Sequence, residues 1–220
     1  MREVPASSVG PEVLLFQGFG GMGTKEQDAQ ERILRATIIC IERDGLDATG
    51  IREIAREAQV NSAAISYYFR SKEKLIAQAL EATLDQAFGH VLMDFDKLVA
   101  EGLSIREAFE TLLEDIAGNL GRYPRIAHAH FHDALVHQRY DGAAIHRLNA
   151  FLEELSRKLA PATTHLTEDK RRIALVQLWS SVSLMSMAPR TFDQFILLDF
   201  HTLETRRTWV KQSLRLLFPA

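Results

Sequence analysis

Four histidines stand close together in this chain, at His128, His130, His132 and His137. On a helix, His128 and His132 lie one turn apart and share a face, the spacing of a two-ligand metal site. Asp133 adds a carboxylate beside them. No cysteine joins the group, and Ala129 rather than a glutamate follows His128, so the pattern of a hydrolytic zinc helix is missing. Without a metal, the same side chains suit an acidic or aromatic ligand, or a pH-sensitive response. A second group lies earlier in the chain. Its hydroxyls (Ser62, Ser66, Tyr67, Tyr68), the Ala63 methyl, and the cations Arg52 and Lys72 are the kinds of group that touch base edges, thymine methyls and phosphates of duplex DNA. Catalytic patterns are absent: there is no Gly-rich phosphate loop, no Ser-His-Asp arrangement and no paired-carboxylate motif. The chain is expected to be no enzyme and to need no cofactor.

Short helices must hold the second group in place. Ile54, Ala55 and Ala58 put small and apolar side chains on one face of a helix over Ile51–Ala58, and Val60 closes the turn after it. Ile65 and Phe69, four apart, give a second helix, Ser62–Phe69, its apolar stripe. Ala55 is small where two helices cross closely. This is the pattern of a helix-turn-helix, whose second helix enters a major groove. With Ile65 and Phe69 turned inward, Ser62, Ala63, Ser66 and Tyr67 are left to face DNA. Tyr67 and Tyr68 carry hydroxyls that reach phosphates, or else the pair packs the module. Lys72 opens the next helix, where backbone N–H groups and an ammonium together suit a phosphate. Arg52, early in its helix, is placed for a guanine or a phosphate. From Gly50 to Leu75 five cations face three carboxylates, in a chain whose net charge is −3. That modest patch argues for targeted binding over general coating of polyanions.

Tyr67-Tyr68-Phe69 runs into Ser71-Lys72-Glu73-Lys74-Leu75, and an amphipathic helix near Glu26–Arg43, carrying Ile33, Leu34, Ile38 and Ile41, precedes Asp44-Gly45-Leu46. In that order and spacing the stretch resembles the DNA-binding domain of the TetR family of bacterial transcription regulators, over about residues 26–80. Matching positions in that family contact operator DNA, which implies the same for Arg52, Ser62, Ala63, Ala64, Ser66, Tyr67, Tyr68 and Lys72. The resemblance also implies a cytoplasmic homodimer paired through its last two long helices. It further implies a palindromic operator and a repressor released by a small-molecule effector. Two positions depart from the family pattern. Gln59 replaces the usual turn glycine, at a cost of roughly 1 kcal/mol if its backbone is left-handed. Gly50 replaces a Ser or Thr, leaving Thr49 to cap the helix.

Residues 72–220 are expected to form an all-α ligand-binding and dimerisation domain, after a helix-turn-helix domain at 25–71. The pattern predicts a long helix from Lys72 to near Ala100, bent or broken at Gly89. Ser104 with Glu107 signals a capping box for a helix to about Leu120. Helices over Arg125–Gln138, Gly142–Leu159, Thr167–Met187 and Leu203–Leu217 follow, with Pro124, Pro161 and Pro189 as punctuation. On the Thr167–Met187 helix, Ala174, Leu178, Ser181, Val182 and Met185 offer a face for close pairing. Phe109, Phe131, Phe151 and Trp179, with His128 and His132, are candidates to line an effector pocket, and the aromatics are equally candidates for the core. A metal-sensing regulator or metal-binding helical protein, centred on His128 and His132, is the alternative reading. No run reaches the roughly 20 apolar residues needed to cross a bilayer, so no membrane partner is expected. The single cysteine, Cys40, rules out an internal disulfide framework and reads as buried filler. Residues 1–24 are rich in Gly, Ser and Pro. They read as a flexible arm or, because Glu12–Gly18 resembles a viral protease site with an extra leucine, as an expression-derived segment.

Overall fold

The protein is described here by a computed structural model over residues 25–196, 199 and 202–219. The arm expected at 1–24 lies outside the described residues. Helix α1 is Lys25–Asp44. Gly45 ends it at φ 94, with its N–H on the Ile41 carbonyl. Helices α2 (Ile51–Glu57) and α3 (Ser62–Phe69) form the helix-turn-helix. The C-terminal domain holds α4 (Lys72–Ala100), α5 (Ile105–Asn119), α6 (Pro124–His137), α7 (Ala143–Leu159), α8 (Glu168–Met187), the short α9 (Asp193–Ile196) and α10 (Leu203–Leu214). Among the described residues there is no strand, and the fold is all-α as expected.

The start signals act as the sequence predicts in most places. The Ser104 hydroxyl accepts from the Glu107 N–H while the Glu107 carboxylate accepts from the Ser104 N–H, a complete capping box. Pro124 is the first residue of α6, where its missing N–H costs nothing. Three expectations are corrected. Helix α4 runs through Gly89 without the break that was the stronger form of that expectation, because one glycine weakens a helix without ending it. Helix α10 stops at Leu214, although Leu217 and Phe218 beyond it are still buried. Thr49 does not cap α2: its hydroxyl donates back to the Gly45 carbonyl at 2.7 Å, and Gly50 is the cap residue with no side chain to offer.

The buried side chains fall into three clusters. In the first, Ile33, Ala36 and Cys40 of α1 meet Ile54, Ala55 and Ala58 of α2, Ile65 and Phe69 of α3, and Leu75. Burial raises the Cys40 thiol pKa, with Arg43 pulling it part of the way back, so it stays a protonated filler. The second cluster is the aromatic centre of the C-terminal domain. Phe88 stacks on Phe151 at 4.5 Å, and Trp179 leans on Phe151 at 4.7 Å. Such pairs add about 0.5–1.5 kcal/mol beyond their buried area.

The third cluster joins the two parts. Ile38 and Ile41 of α1 pack on Ala79 of α4 and on Ile126 and Ala129 of α6. Beside it, Glu42 reaches across and accepts from the Ile126 N–H at 3.0 Å. Helix α6 has no cap from its own chain neighbour Tyr123, so a carboxylate from α1 supplies one. Burial pushes the Glu42 pKa up, and the Ile126 N–H bond and the Arg125 charge pull it down.

Candidate functional site

Helix α3 is held from behind and capped from its start. Asn61 precedes it in extended backbone and accepts from the Ala63 N–H at 2.9 Å. The sequence carried this signal, an asparagine just before the first helical residue, although the cap was not foreseen. Ile65 and Phe69 are buried. The opposite side presents Ala63, Ser66 and Tyr67 to solvent, with Ser62 and Ala64 half-buried at its edges. Tyr67 is 73% exposed, and its ring edge meets Tyr68 at 5.1 Å. Tyr68 is partly buried against the first cluster, so the two tyrosines divide the roles that the sequence left open: Tyr68 packs and Tyr67 projects. Arg52 is exposed on α2. Lys72 is half-buried in the first turn of α4, after the Ser71 hydroxyl has capped that helix on the Lys74 N–H. The exposed members, Ala63, Ser66, Tyr67 and Arg52, offer a methyl, two hydroxyls and a cation, the kinds of group that meet bases and phosphates of duplex DNA.

The turn between α2 and α3 contains the departure seen in the sequence. Gln59 adopts φ 55, a left-handed conformation that glycine takes without cost. Its strain is offset locally, since Val60 N–H bonds to the Ala55 carbonyl at 2.9 Å and Gln59 N–H to Arg56.

A family model of bacterial regulatory proteins, tetR family, matches residues 33–79. These residues carry a DNA-binding domain of the TetR family. The match covers the helix-turn-helix and the first turns of α4. Over 69 residues this chain is 36% identical to the HTH-type transcriptional repressor KstR2 of Rhodococcus jostii, a stretch covering 31% of this chain and 32% of that protein. It is 33% identical to the HTH-type transcriptional regulator YttP of Bacillus subtilis over 28% of this chain and 33% of that one. The chain thus matches about a third of the length of these relatives. Among solved structures, a TetR-family transcriptional regulator from Mesorhizobium loti superposes with a TM-score of 0.66 at 16% identity, covering 88% of this chain and 98% of its own. A transcriptional regulator from Streptomyces coelicolor A3(2) superposes with a TM-score of 0.58 at 19% identity, covering 87% and 99%. At such identities the likeness concerns the fold alone.

In the C-terminal domain, the six residues nominated for a ligand separate. Phe109, Phe151 and Trp179 are buried in the aromatic cluster. His128 is exposed and Phe131 half-buried. His132 alone of the six lines a cavity of about 500 Å³ between α4, α6, the start of α7 and the turn after α1. The metal pair expected from spacing is also rearranged. The His128 and His132 rings sit 6.2 Å apart, and the donor atoms that come within 4.8 Å of one another belong to His132, Asp133 and His137. Arg139 already holds the Asp133 carboxylate at 3.0 Å, which opposes a metal cation there. No helix among the described residues is long and apolar enough to cross a membrane.

The pairing face read from the sequence is corrected as well. Ala174, Leu178 and Val182 point into the protomer and are buried there. The apolar side chains that α8 leaves bare are Ile173 at 58%, Val176 at 56% and Leu184 at 38% exposed. Helix α8 is apolar on two sides, so periodicity could not say which side meets a partner.

Proposed function

We propose that this chain is a ligand-responsive transcription regulator. It binds a palindromic operator as a homodimer and acts as a repressor that a small-molecule effector releases. The observation that carries the proposal is the outward face of α3, where Ala63, Ser66 and Tyr67 stand free on a helix fixed by a buried core and an asparagine cap. Pairing through α8 and α10 is supported by the bare stripe of Ile173, Val176 and Leu184, which a second copy would cover. A dimer sets two recognition helices about one DNA turn apart, roughly 34 Å, and that distance is what the operator measures.

Regulation then needs only differential affinity. An effector that favours a conformer with a different separation between the two α3 helices weakens operator binding by the same factor. The α1–α4–α6 cluster and the Glu42 cap give a route for this: they tie the module to the C-terminal domain, so a shift of α6 moves α1. Arg52, Ser62, Ala64, Tyr68 and Lys72 complete the proposed contact surface around the three free side chains.

Fluorescence anisotropy on DNA from upstream of the gene, across a salt series, tests the reading. Tight binding to a palindromic fragment is expected. Tyr67→Ala should weaken it by about tenfold or more, and Lys72→Ala should lower the salt slope by about one. Weak binding that ignores sequence and both substitutions would overturn it.

A further inference from the structure

The cavity described above contains one polar group with nothing to bond. His130 sits in its wall, on α6, with its Nδ1 sealed from solvent and without a hydrogen-bond partner. Its other nitrogen, Nε2, lies 3.2 Å from the Thr83 hydroxyl oxygen. Thr83 gives its own proton to the Leu80 carbonyl at 2.8 Å. With that proton committed, Thr83 can only accept, so His130 must carry its proton on Nε2. Nδ1 is then a bare lone pair. Burial also pushes the pKa of His130 down to about 4, so the ring is neutral at pH 7 and the lone pair stays available. A buried acceptor left unmet is costly, and folded proteins nearly always supply a partner for one.

The surroundings restrict the answer. Ile76, Leu80 and Leu84 line the cavity from one face of α4, and Ile145 from α7. At its rim Lys72 and Arg139 are outnumbered by Asp47, Glu73, Glu81 and Asp133. Arg139 is already paired with Asp133, and Glu81 with Arg147 at 3.3 Å. An anionic ligand would meet a net negative rim, and the apolar wall favours an uncharged body.

We propose that this cavity is a ligand site for an uncharged, largely apolar molecule that carries a hydroxyl, the hydroxyl donating to His130 Nδ1 as the side chains that now cover that nitrogen give way. The apolar body lies along Ile76, Leu80 and Leu84. The site is distinct in position from the aromatic core of the C-terminal domain. It is a junction between the two parts of the chain, because Leu46 and Asp47 of the turn after α1 and Lys72 of the first turn of α4 belong to its wall. A ligand seated there touches both sides of the α1–α6 contact. Its consequence for DNA binding rests on the regulator reading above; its binding does not.

Isothermal titration calorimetry with two probes of nearly equal shape, 4-phenylphenol and 4-methoxybiphenyl, separates the hydrogen bond from the apolar burial on the unaltered protein. The phenol is expected to bind with one site per chain and about tenfold or more tighter than the ether, which cannot donate. In His130→Phe the two probes should bind alike, with the ether little changed. Equal affinity of the two probes for the unaltered protein, or no saturable binding of the phenol, would overturn the proposal without any reliance on a variant that folds. Biphenyl-4-carboxylate, carrying an anion in place of the hydroxyl, should bind more weakly than the phenol, and tighter binding would also overturn it. Adding the phenol to the operator anisotropy assay reads the regulatory step separately. His130-dependent binding that leaves operator affinity unchanged would keep the site and refute the effector reading.

Discussion

The core of the DNA-binding end is built mainly from small and β-branched side chains, Ile33, Ala36, Ile54, Ala55, Ala58 and Ile65, with Phe69 and Leu75 among them, whereas the C-terminal end is built around Phe88, Phe109, Phe151 and Trp179. Small side chains let α1, α2 and α3 cross closely, so one long helix and two short ones hold one fixed outward face. In the C-terminal part, stacked aromatic rings fill the space between helices instead. Neither core has a reason to change shape on its own. The adjustable part is the boundary between them, where Ile38 and Ile41 meet Ala79, Ile126 and Ala129. The reaching carboxylate of Glu42 and the unpaired nitrogen of His130 also sit at or beside this boundary. A regulator needs a stiff reader and a deformable joint, and the two kinds of core put the joint at the seam.

The largest expected effect tests whether acid acts on the C-terminal side of that seam. His130 is neutral in the folded chain down to about pH 4, while an unfolded histidine takes up its proton near pH 6.5. Between those values the unfolded state binds more protons, so stability rises with pH. The contribution is complete above about pH 6.5 and is lost as pH falls through that window, by about 3 kcal/mol in all. Urea unfolding at pH 7 and at pH 4.5 should show this loss in the unaltered chain and a clearly smaller one in His130→Phe. The lowered carboxylates of Asp44, Glu73 and Glu107 lose stability in acid too, and they do so equally in both proteins. Parallel losses would mean that the buried ring is not the acid-sensitive group.

A smaller effect sharpens the contrast at the joint itself. Removing the Glu42 carboxylate in Glu42→Ala leaves the start of α6 without its cap and should cost about 1 kcal/mol. Glu42→Gln keeps an acceptor and should recover most of it. The informative readout is local. Amide hydrogen exchange should speed up at Ile126 and the first turn of α6, while the amides of α2 and α3 keep their protection. If α2 and α3 loosen to the same degree, the two ends are not held separately and the comparison fails.

Much of the reader was legible in the sequence, and little of the joint was. The bounds of α3, the buried Ile65 and Phe69, and the outward Ala63, Ser66 and Tyr67 all follow from contacts within a few dozen residues, where spacing decides which side faces the core. The ligand cavity draws on Leu46, Ile76, His130 and Ile145, residues from four separate segments, and no periodicity in any one of them reports the others. Nothing in the sequence sets Glu42 apart from the other charges of α1; its partner stands 84 positions away. The face of α8 was misread for a different reason. Ala174, Leu178 and Val182 on one side and Ile173, Val176 and Leu184 on the other give equally good helical stripes, and only packing chooses between them.

The smallest effect concerns one glutamine in each end. Gln59, in the turn after α2, and Gln138, just past α6, both have positive φ, at 55 and 52. The first was suspect in the sequence because the family pattern places glycine there; the second gave no such sign, since any residue can follow a helix. Physically the two are alike, each bearing a side chain where L-residues pay about 1–2 kcal/mol of strain. Glycine removes the strain but loses more freedom on folding, so each of Gln59→Gly and Gln138→Gly should raise stability by a net of about 0.5–1 kcal/mol. Thermal unfolding of the two variants and of the double variant checks this. The sites lie in separate turns, far apart in the chain, so the gains should add. The contrast between reader and joint predicts where they part: Gln59→Gly leaves a tightly packed turn as it was and should not change operator affinity. Gln138 lies at the end of the helix that lines the cavity, next to Arg139, whose guanidinium holds Asp133 at the rim. Gln138→Gly should therefore alter the binding of 4-phenylphenol more than Gln59→Gly does. An equal change in both would show that the seam responds to the whole chain and not to its own neighbours.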